Sequence, residues 1–275
     1  MHDLTKPQTR DQFSMVEQES GLWRVDTSGS GGHYSLLLLS SQGALVTDPS
    51  TPELSDWLIQ EVKTRFDSEV RWVVYSHSHY DHIGGGGVLQ DAGAKVVAHV
   101  NAAIDIAGEE LVTGMPDIAF EKSYAITLDH DEVILNWIAP SHSNSMIMIE
   151  FARQGLLLAT DFCPIRRVPY YDFPDFYYDG WMKSLYWIAD HDFTFLGSGH
   201  WDIGIKSDLY LQIDYMTNLH DEVLRLVRSG KGWDEIYKLV RFSDEHRALG
   251  SFLEMWFANV LGMYRWVSTH RRGAY

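Results

Sequence analysis

Six consecutive residues restrict the possible fold and function of this chain more than any other part of its sequence. They are His77-Ser78-His79-Tyr80-Asp81-His82, and they follow a β-branched and aromatic run at 70–75 that predicts a buried strand. The glycine run at 84–87 comes next and predicts a turn. Imidazole and carboxylate groups are ligands of divalent metals, so the motif predicts a metal site where a strand ends. The alternative is that these histidines are ordinary surface or capping residues.

Further candidate ligands occur later in the chain, each at the end of an apolar run that predicts a strand. The runs are 133–138, 156–159 and 193–196, and the residues that follow them are His142, Asp161 and His200. Because strand ends can meet at one edge of a sheet, we expect these side chains to join the first cluster.

This order of residues resembles the metallo-β-lactamase superfamily, in which an HxHxDH motif is followed by a separate histidine, a metal-bridging aspartate and a last histidine. The resemblance extends from about residue 21 to His200. It implies an α/β fold, a four-layer αββα sandwich, which here would carry a helical C-terminal segment. It also implies two divalent metal ions, with zinc as the first expectation and iron or manganese as alternatives.

The resemblance also assigns the ligands. His77, His79 and His142 resemble the ligands of the first metal, and Asp81, His82 and His200 those of the second. Asp161 resembles the bridge between the two ions. Asp48 resembles an acidic residue that supports a metal-bound histidine, with a simple turn aspartate before Pro49 as the alternative.

The remaining histidines have no comparable partners in the sequence, so we expect surface or structural roles for them. They are His2, His33, His99, His130, His191, His220, His246 and His270.

The reaction implied by the resemblance is hydrolysis by a metal-bridging hydroxide, because metal ions lower the pKa of bound water. Asp81 and Asp161 are the candidate catalytic residues, and Cys163, the only cysteine, is expected to be an apolar filler. An aspartate at position 161 resembles thioesterases of the glyoxalase II kind and lactonases, which implies an ester, lactone or thioester substrate. The alternatives are a phosphodiesterase on the same metal site and an iron-dependent oxidoreductase of the persulfide dioxygenase or flavodiiron kind.

An aromatic loop, residues 164–181, is the second informative feature. Its three prolines disfavour a continuous helix, and its seven aromatic residues are more than a solvated loop needs. We interpret it as a pocket wall or lid, or else as core or dimer interface. The candidate substrate-binding residues are Arg166, Tyr170, Tyr171, Tyr177 and Tyr178.

The net charge of -16 disfavours polyanionic partners, and the sequence shows no extended basic run for nucleic acid. A small neutral or singly charged substrate is therefore expected. The first 20 residues are polar, which predicts neither a signal peptide nor a membrane span. A lone cysteine excludes a disulfide framework, and together these features predict a cytoplasmic protein without membrane contact.

We expect a polar leader at 1–20, a catalytic domain at 21–206 and a helical extension at 207–275 packed on that domain. Strands are predicted at 22–25, 34–39, 44–46 and 95–100, and a helix is predicted from Thr51-Pro52. Later helices are predicted at 207–229, with Ser207 as the cap, at 233–242 and at 244–267. The last is apolar enough that a homodimer surface is the alternative to packing on the core.

Overall fold

The computed structural model describes residues 12–28 and 32–270. Residues 1–11 of the predicted leader and residues 271–275 lie outside the described residues. The chain divides into two compact units, each made of segments that are separate in sequence. The first unit is Met1–Trp137, Ser145–Gln154 and Gly199–Trp201, and the second is Ile138–Asn144, Gly155–Ser198 and Asp202–Tyr275. The predicted division at residue 206 stays a prediction.

The first unit contains a seven-stranded sheet whose strands lie in chain order. These strands are β1 Phe13–Glu19, β2 Leu22–Thr27, β3 Tyr34–Ser40, β4 Gly43–Thr47, β5 Val70–Val74, β6 Lys95–His99 and β7 Ile118–Phe120. The strands from β1 to β4 pair antiparallel, and those from β4 to β7 pair parallel. The parallel strands therefore end at the same edge, which is the edge where chemistry gathers in such sheets.

Helices connect the parallel strands of this sheet. They are α1 Pro52–Phe66, α2 Tyr80–Ile83, α3 Gly86–Asp91 and α4 Val100–Gly108. The predicted start of α1 is confirmed, because Thr51 is its N-cap and the Thr51 hydroxyl accepts the amide of Leu54 at 3.2 Å. Leu54, Leu58 and Val62 of α1 are buried against the sheet, a contribution of roughly 1.5–3 kcal/mol each.

Strand β1 lies within the segment that the sequence predicts as a polar leader. It pairs antiparallel with β2 from Phe13–Thr27 onward. Phe13 and Met15 alternate with exposed residues and are buried, which is the period of two expected for a half-buried strand. The predicted leader is therefore wrong for residues 13–19, because two inward positions are too few to stand out in a polar sequence.

The remaining strands follow the first sheet along the chain. In the first unit, β8 Ser123–Leu128, β9 Asp131–Asn136 and β10 Met148–Phe151 pair antiparallel in sequence order. In the second unit, β11 Leu156–Leu158 pairs parallel with β12 Phe195–Gly197, and β12 pairs antiparallel with β13 Ile203–Gly204.

The helices of the second unit confirm the predicted helical segment with two corrections. They are α5 Tyr178–Ala189, α6 Lys206–Arg228, α7 Trp233–Leu239, α8 Asp244–Arg247 and α9 Phe252–Thr269. The predicted cap Ser207 is wrong, because Ile205 is the N-cap of α6 and its amide donates to the carboxylate of Asp208 at 2.9 Å. The predicted single helix at 244–267 is broken before Ser251, whose φ of 58° is left-handed. Within the described residues, none of the helices combines the length and the apolar character needed to cross a bilayer.

Candidate metal centre

The first half of the candidate centre follows β5. The chain turns at the strand end, His79 is the N-cap of α2, and the amide of His82 donates to the carbonyl of His79 at 3.0 Å. His77 and His82 are buried, whereas the side chain of Asp81 is 67% exposed. This tight turn brings residues from both of its sides to the same strand end.

The glycines after the motif allow this turn to pack closely. The amide of Gly85 donates to the carbonyl of Pro49 at 2.7 Å, and a Cβ on Gly86 would collide with the Tyr75 hydroxyl. That hydroxyl donates to the carbonyl of Gly114 at 3.0 Å, and burial raises the pKa of Tyr75 to about 12. Glycine is therefore required at positions 85 and 86 for this close approach.

The imidazoles of the first unit converge. The ring centroid of His77 lies 4.4 Å from that of His79 and 4.6 Å from that of His82. Nε2 of His82 is 3.3 Å from Nε2 of His200 and 3.6 Å from Oδ2 of Asp81. The ligand atoms of Asp81, His82 and His200 all lie within 4.8 Å of one another, as do those of His77 and His79. Nitrogen and carboxylate donors at this spacing fit divalent metal ions.

Buried polar groups orient two of these imidazoles from behind. Oδ1 of Asp48 accepts the amide of Ser76 at 2.7 Å, while its Oδ2 lies 3.5 Å from Nδ1 of His82. The Ser76 hydroxyl lies 2.9 Å from Nδ1 of His77. An Nδ1–H donated to the Ser76 hydroxyl would leave Nε2 of His77 with its lone pair for a metal, and the Asp48 carboxylate would favour the same tautomer of His82 by electrostatic attraction across 3.5 Å. Asp48 therefore lies near His82, and the supporting role that the resemblance implies for it stays a prediction.

His200 belongs to the first unit although it lies far along the chain. It forms an isolated antiparallel bridge with His33, and the amide of Tyr34 donates to the carbonyl of Gly199 at 2.8 Å. The ring of His33 lies 5.0 Å from that of His82. The sequence predicts only a surface or structural role for His33, since no spacing rule relates position 33 to the motif.

The second unit holds the other two predicted ligands next to each other. Nε2 of His142 lies 3.4 Å from Oδ2 of Asp161, and each side chain is 14% exposed. Asp161 follows β11, has a left-handed φ of 63°, and its amide donates to the carbonyl of Ser198 at 3.0 Å. A strained backbone at a polar residue is typical of functional sites.

Helix α5 supports the turn that carries His142. The amide of Tyr177, the N-cap of α5, donates to the carbonyl of Ser141 at 2.8 Å. A Cβ on Gly180 would collide with the carbonyl of Pro140, so only glycine permits this approach. Trp181 is buried and its ring meets that of His142 edge-on at 6.0 Å.

The aromatic loop is partly core and partly exposed. Phe173, Phe176 and Trp181 are buried and pack together, with the rings of Phe173 and Phe176 only 4.7 Å apart. The tyrosines differ: Tyr170, Tyr171 and Tyr177 are exposed, whereas Tyr178 is buried and its ring stacks on His220 at 4.2 Å.

Arg166, the predicted anion-binding residue of this loop, makes ion pairs with two aspartates. Its guanidinium lies 3.3 Å from Asp202 and 3.2 Å from Asp208. A substrate role for Arg166 and the four tyrosines stays a prediction.

Comparison with known proteins identifies the fold. A sequence model of the family described as "Metallo-beta-lactamase superfamily" matches residues 29–193. A metallo-beta-lactamase from Pontibacter korlensis is similar in structure, with a TM-score of 0.68 and 18% identity over 75% of this chain and 100% of that chain. No curated protein matches the sequence.

Two further solved structures are similar. FIM-1 from Pseudomonas aeruginosa, in its mono-zinc form, has a TM-score of 0.64 and 16% identity over 74% of this chain and 95% of that chain. A metallo-beta-lactamase from Erythrobacter litoralis, with beta-mercaptoethanol in its active site, has a TM-score of 0.63 and 18% identity over 75% of this chain and 96% of that chain. The predicted αββα sandwich with a helical C-terminal segment is therefore confirmed.

Proposed function

The chain belongs to the metallo-beta-lactamase superfamily of metal-dependent hydrolases, and from this membership we propose that it hydrolyses a small-molecule ester, lactone or thioester with two divalent metal ions. The observation that supports this most is the donor set. The imidazoles of the first unit converge with Asp81, and His142 lies beside Asp161 in the second unit.

The proposed ligand assignment follows the family order. His77, His79 and His142 would hold one ion, Asp81, His82 and His200 the other, and Asp161 would be shared. Zinc is the proposed metal, as FIM-1 is described with zinc. When bound, such ions lower the pKa of water towards neutrality and polarise a carbonyl oxygen.

Cys163 supports water rather than a thiol as the attacking group. It lies two residues after Asp161 but its side chain is fully buried, and burial raises the pKa of the thiol well above its ordinary value. The thiol is therefore neither a ready nucleophile nor a ready ligand. We therefore propose the carboxylate of Asp161, rather than the Cys163 thiol, for the bridging role that the resemblance assigns.

Asp81 is the group that we propose to transfer a proton to the departing oxygen or sulfur. Its side chain is the exposed member of the first half of the centre, whereas His77 and His82 are buried. An exposed carboxylate beside ordered imidazoles can exchange protons with solvent and with a substrate atom.

Charge supports a small substrate of low charge. The net charge is -16, and the guanidinium of Arg166 is already shared by Asp202 and Asp208. A phosphodiester or a nucleic acid would have to overcome this acidic field. A cytoplasmic location remains part of the proposal, supported by the lone cysteine.

The test is a metal analysis followed by a substrate panel. We expect two zinc ions per chain, and p-nitrophenyl esters, acyl lactones and lactoylglutathione to react about tenfold or more faster than bis-p-nitrophenyl phosphate, a difference of ~1.4 kcal/mol in barrier. A faster phosphodiester would overturn the substrate class. One iron per chain together with oxygen uptake would overturn hydrolysis.

A matched pair of variants tests the bridge. Asp161→Ala should lower the rate by orders of magnitude with the fold retained, because it removes a shared ligand. Asp192→Ala removes an exposed carboxylate of the same unit and should leave the rate unchanged. Equal rates for the two variants would remove Asp161 from the proposed centre.

A further inference from the structure

His33 is a buried histidine that contacts two of the candidate ligands. It directly precedes β3 and is 2% exposed. Its ring centroid lies 5.0 Å from that of His82 at 61° and 5.4 Å from that of His200 at 84°. Since the rings of His82 and His200 are 5.2 Å apart, the three imidazoles form a triangle of edge-to-face contacts.

The backbone fixes His33 relative to His200. The two residues face each other in an antiparallel bridge, with hydrogen bonds on both sides of it. The amide of Tyr34 donates to the carbonyl of Gly199 at 2.8 Å, and the amide of Trp201 donates to the carbonyl of Gly32 at 2.6 Å. A shift of His33 would therefore displace His200.

Contacts around Trp201 hold this bridge in place. A Cβ on Gly32 would collide with the indole of Trp201, so the ring occupies the space of a missing side chain. Nη2 of Arg24 donates to the carbonyl of Trp201 at 2.5 Å, and the guanidinium of Arg24 lies 4.2 Å from the ring centroid of Tyr34. The segment of the first unit that contains His33 is therefore fixed by these contacts.

We propose that His33 is a positioning residue, which fixes the ring planes of His82 and His200 and so sets the affinity of the second metal ion; this rests on the proposed function. The χ2 torsion of a histidine is broad, so its own torsional preference does not fix the ring plane and packing must do so. The two Nε2 atoms lie 3.3 Å apart, and both could bind the same ion only if both ring planes are held.

The experiment measures metal binding rather than activity. Zinc affinity is titrated against a chromophoric chelator, and the cobalt-substituted protein is followed by its visible spectrum. His33→Leu keeps a side chain of similar size but removes the flat ring, and we expect it to weaken binding of the second ion by about ten- to a hundredfold. His33→Phe restores a flat ring and should bind both ions with an affinity close to that of the parent.

His99→Leu is the matched control. His99 is a buried histidine of the same unit whose ring stacks on Trp137 and whose Nε2 bonds the carbonyl of Glu121. Its loss should leave both metal affinities and the cobalt spectrum unchanged. This comparison separates positioning of the ligands from a general effect of losing a buried imidazole.

The outcomes separate this inference from the proposed function. If the parent binds two ions and His33→Leu binds both equally well, the positioning role is overturned and the hydrolase is untouched. If His33→Phe fails as His33→Leu does, ring packing is not the cause and the inference is overturned. If the parent itself does not bind two ions, the proposed centre is wrong, and the inference with it.

Discussion

Replacing Asp48 by asparagine isolates the contribution of one buried carboxylate to the metal centre. Asp48 is 1% exposed and has a φ of 46°, a conformation that asparagine also tolerates, so the backbone should be retained. The asparagine oxygen can still accept the amide of Ser76, which Oδ1 now accepts at 2.7 Å. What changes is the atom that faces His82.

The expected magnitude follows from that change. Oδ2, which lies 3.5 Å from Nδ1 of His82, becomes an amide nitrogen with two hydrogens. That nitrogen no longer attracts an Nδ1–H of His82 electrostatically, so the tautomer with hydrogen on Nε2, the atom that faces His200 and Asp81, should become more populated. Hydrogen-bonded supporting groups are worth about ten- to a hundredfold in metal affinity, so for this longer contact we expect the lower end, about tenfold or roughly 1.4 kcal/mol.

Stability should change less than affinity. A hydrogen bond to a charged acceptor becomes one to a neutral acceptor at Ser76, which costs about 1 kcal/mol in the free energy of unfolding. Denaturant unfolding of the metal-free protein measures this cost separately from binding.

Metal affinity is measured by competition with a chelator at fixed pH. Asp131→Asn is the control, because Asp131 is also buried and accepts Nε2 of Gln154 at 2.9 Å, away from the imidazoles. Asp48→Asn with parental zinc affinity, or an equal loss in Asp131→Asn, would refute the reasoning about the His82 tautomer.

Three further predictions follow from other contacts. Gly86→Ala should destabilise the fold by about 1–3 kcal/mol, because the new methyl meets the Tyr75 hydroxyl, whereas Gly108→Ala, with open space around it, should be neutral or stabilising by ~0.4–1 kcal/mol; urea unfolding of both checks this. Cys163 should resist a thiol reagent in the native protein and react on unfolding, since it is buried and its thiol pKa is raised; rapid native labelling would contradict this. Burial lowers the pKa of His99 below its ordinary value of 6.5, so the unfolded chain takes up a proton at a higher pH than the folded protein does. The free energy of unfolding should therefore fall as the pH drops below 6.5. In denaturant unfolding at several pH values, His99→Gln should show a smaller fall than the parent.

The fold could be predicted well where pattern and packing agree. The strand before the motif and the helix from Pro52 are confirmed, because apolar periodicity and capping residues point to the same structure. Strand β1 and the break before Ser251 were not predicted. The first has only two inward side chains, and the second depends on a left-handed residue that the local sequence does not require.

The sequence by itself determined the chemistry of the candidate centre, because the types and order of His77, His79, Asp81 and His82 restrict the possible donors. It also determined that a strand leads into them. Only the tertiary structure decided which groups surround the donors. The bridge of His33 with His200 and the contact of Asp48 with His82 join residues that are far apart along the chain. Such contacts depend on how strand ends meet at a sheet edge, and no local periodicity encodes them.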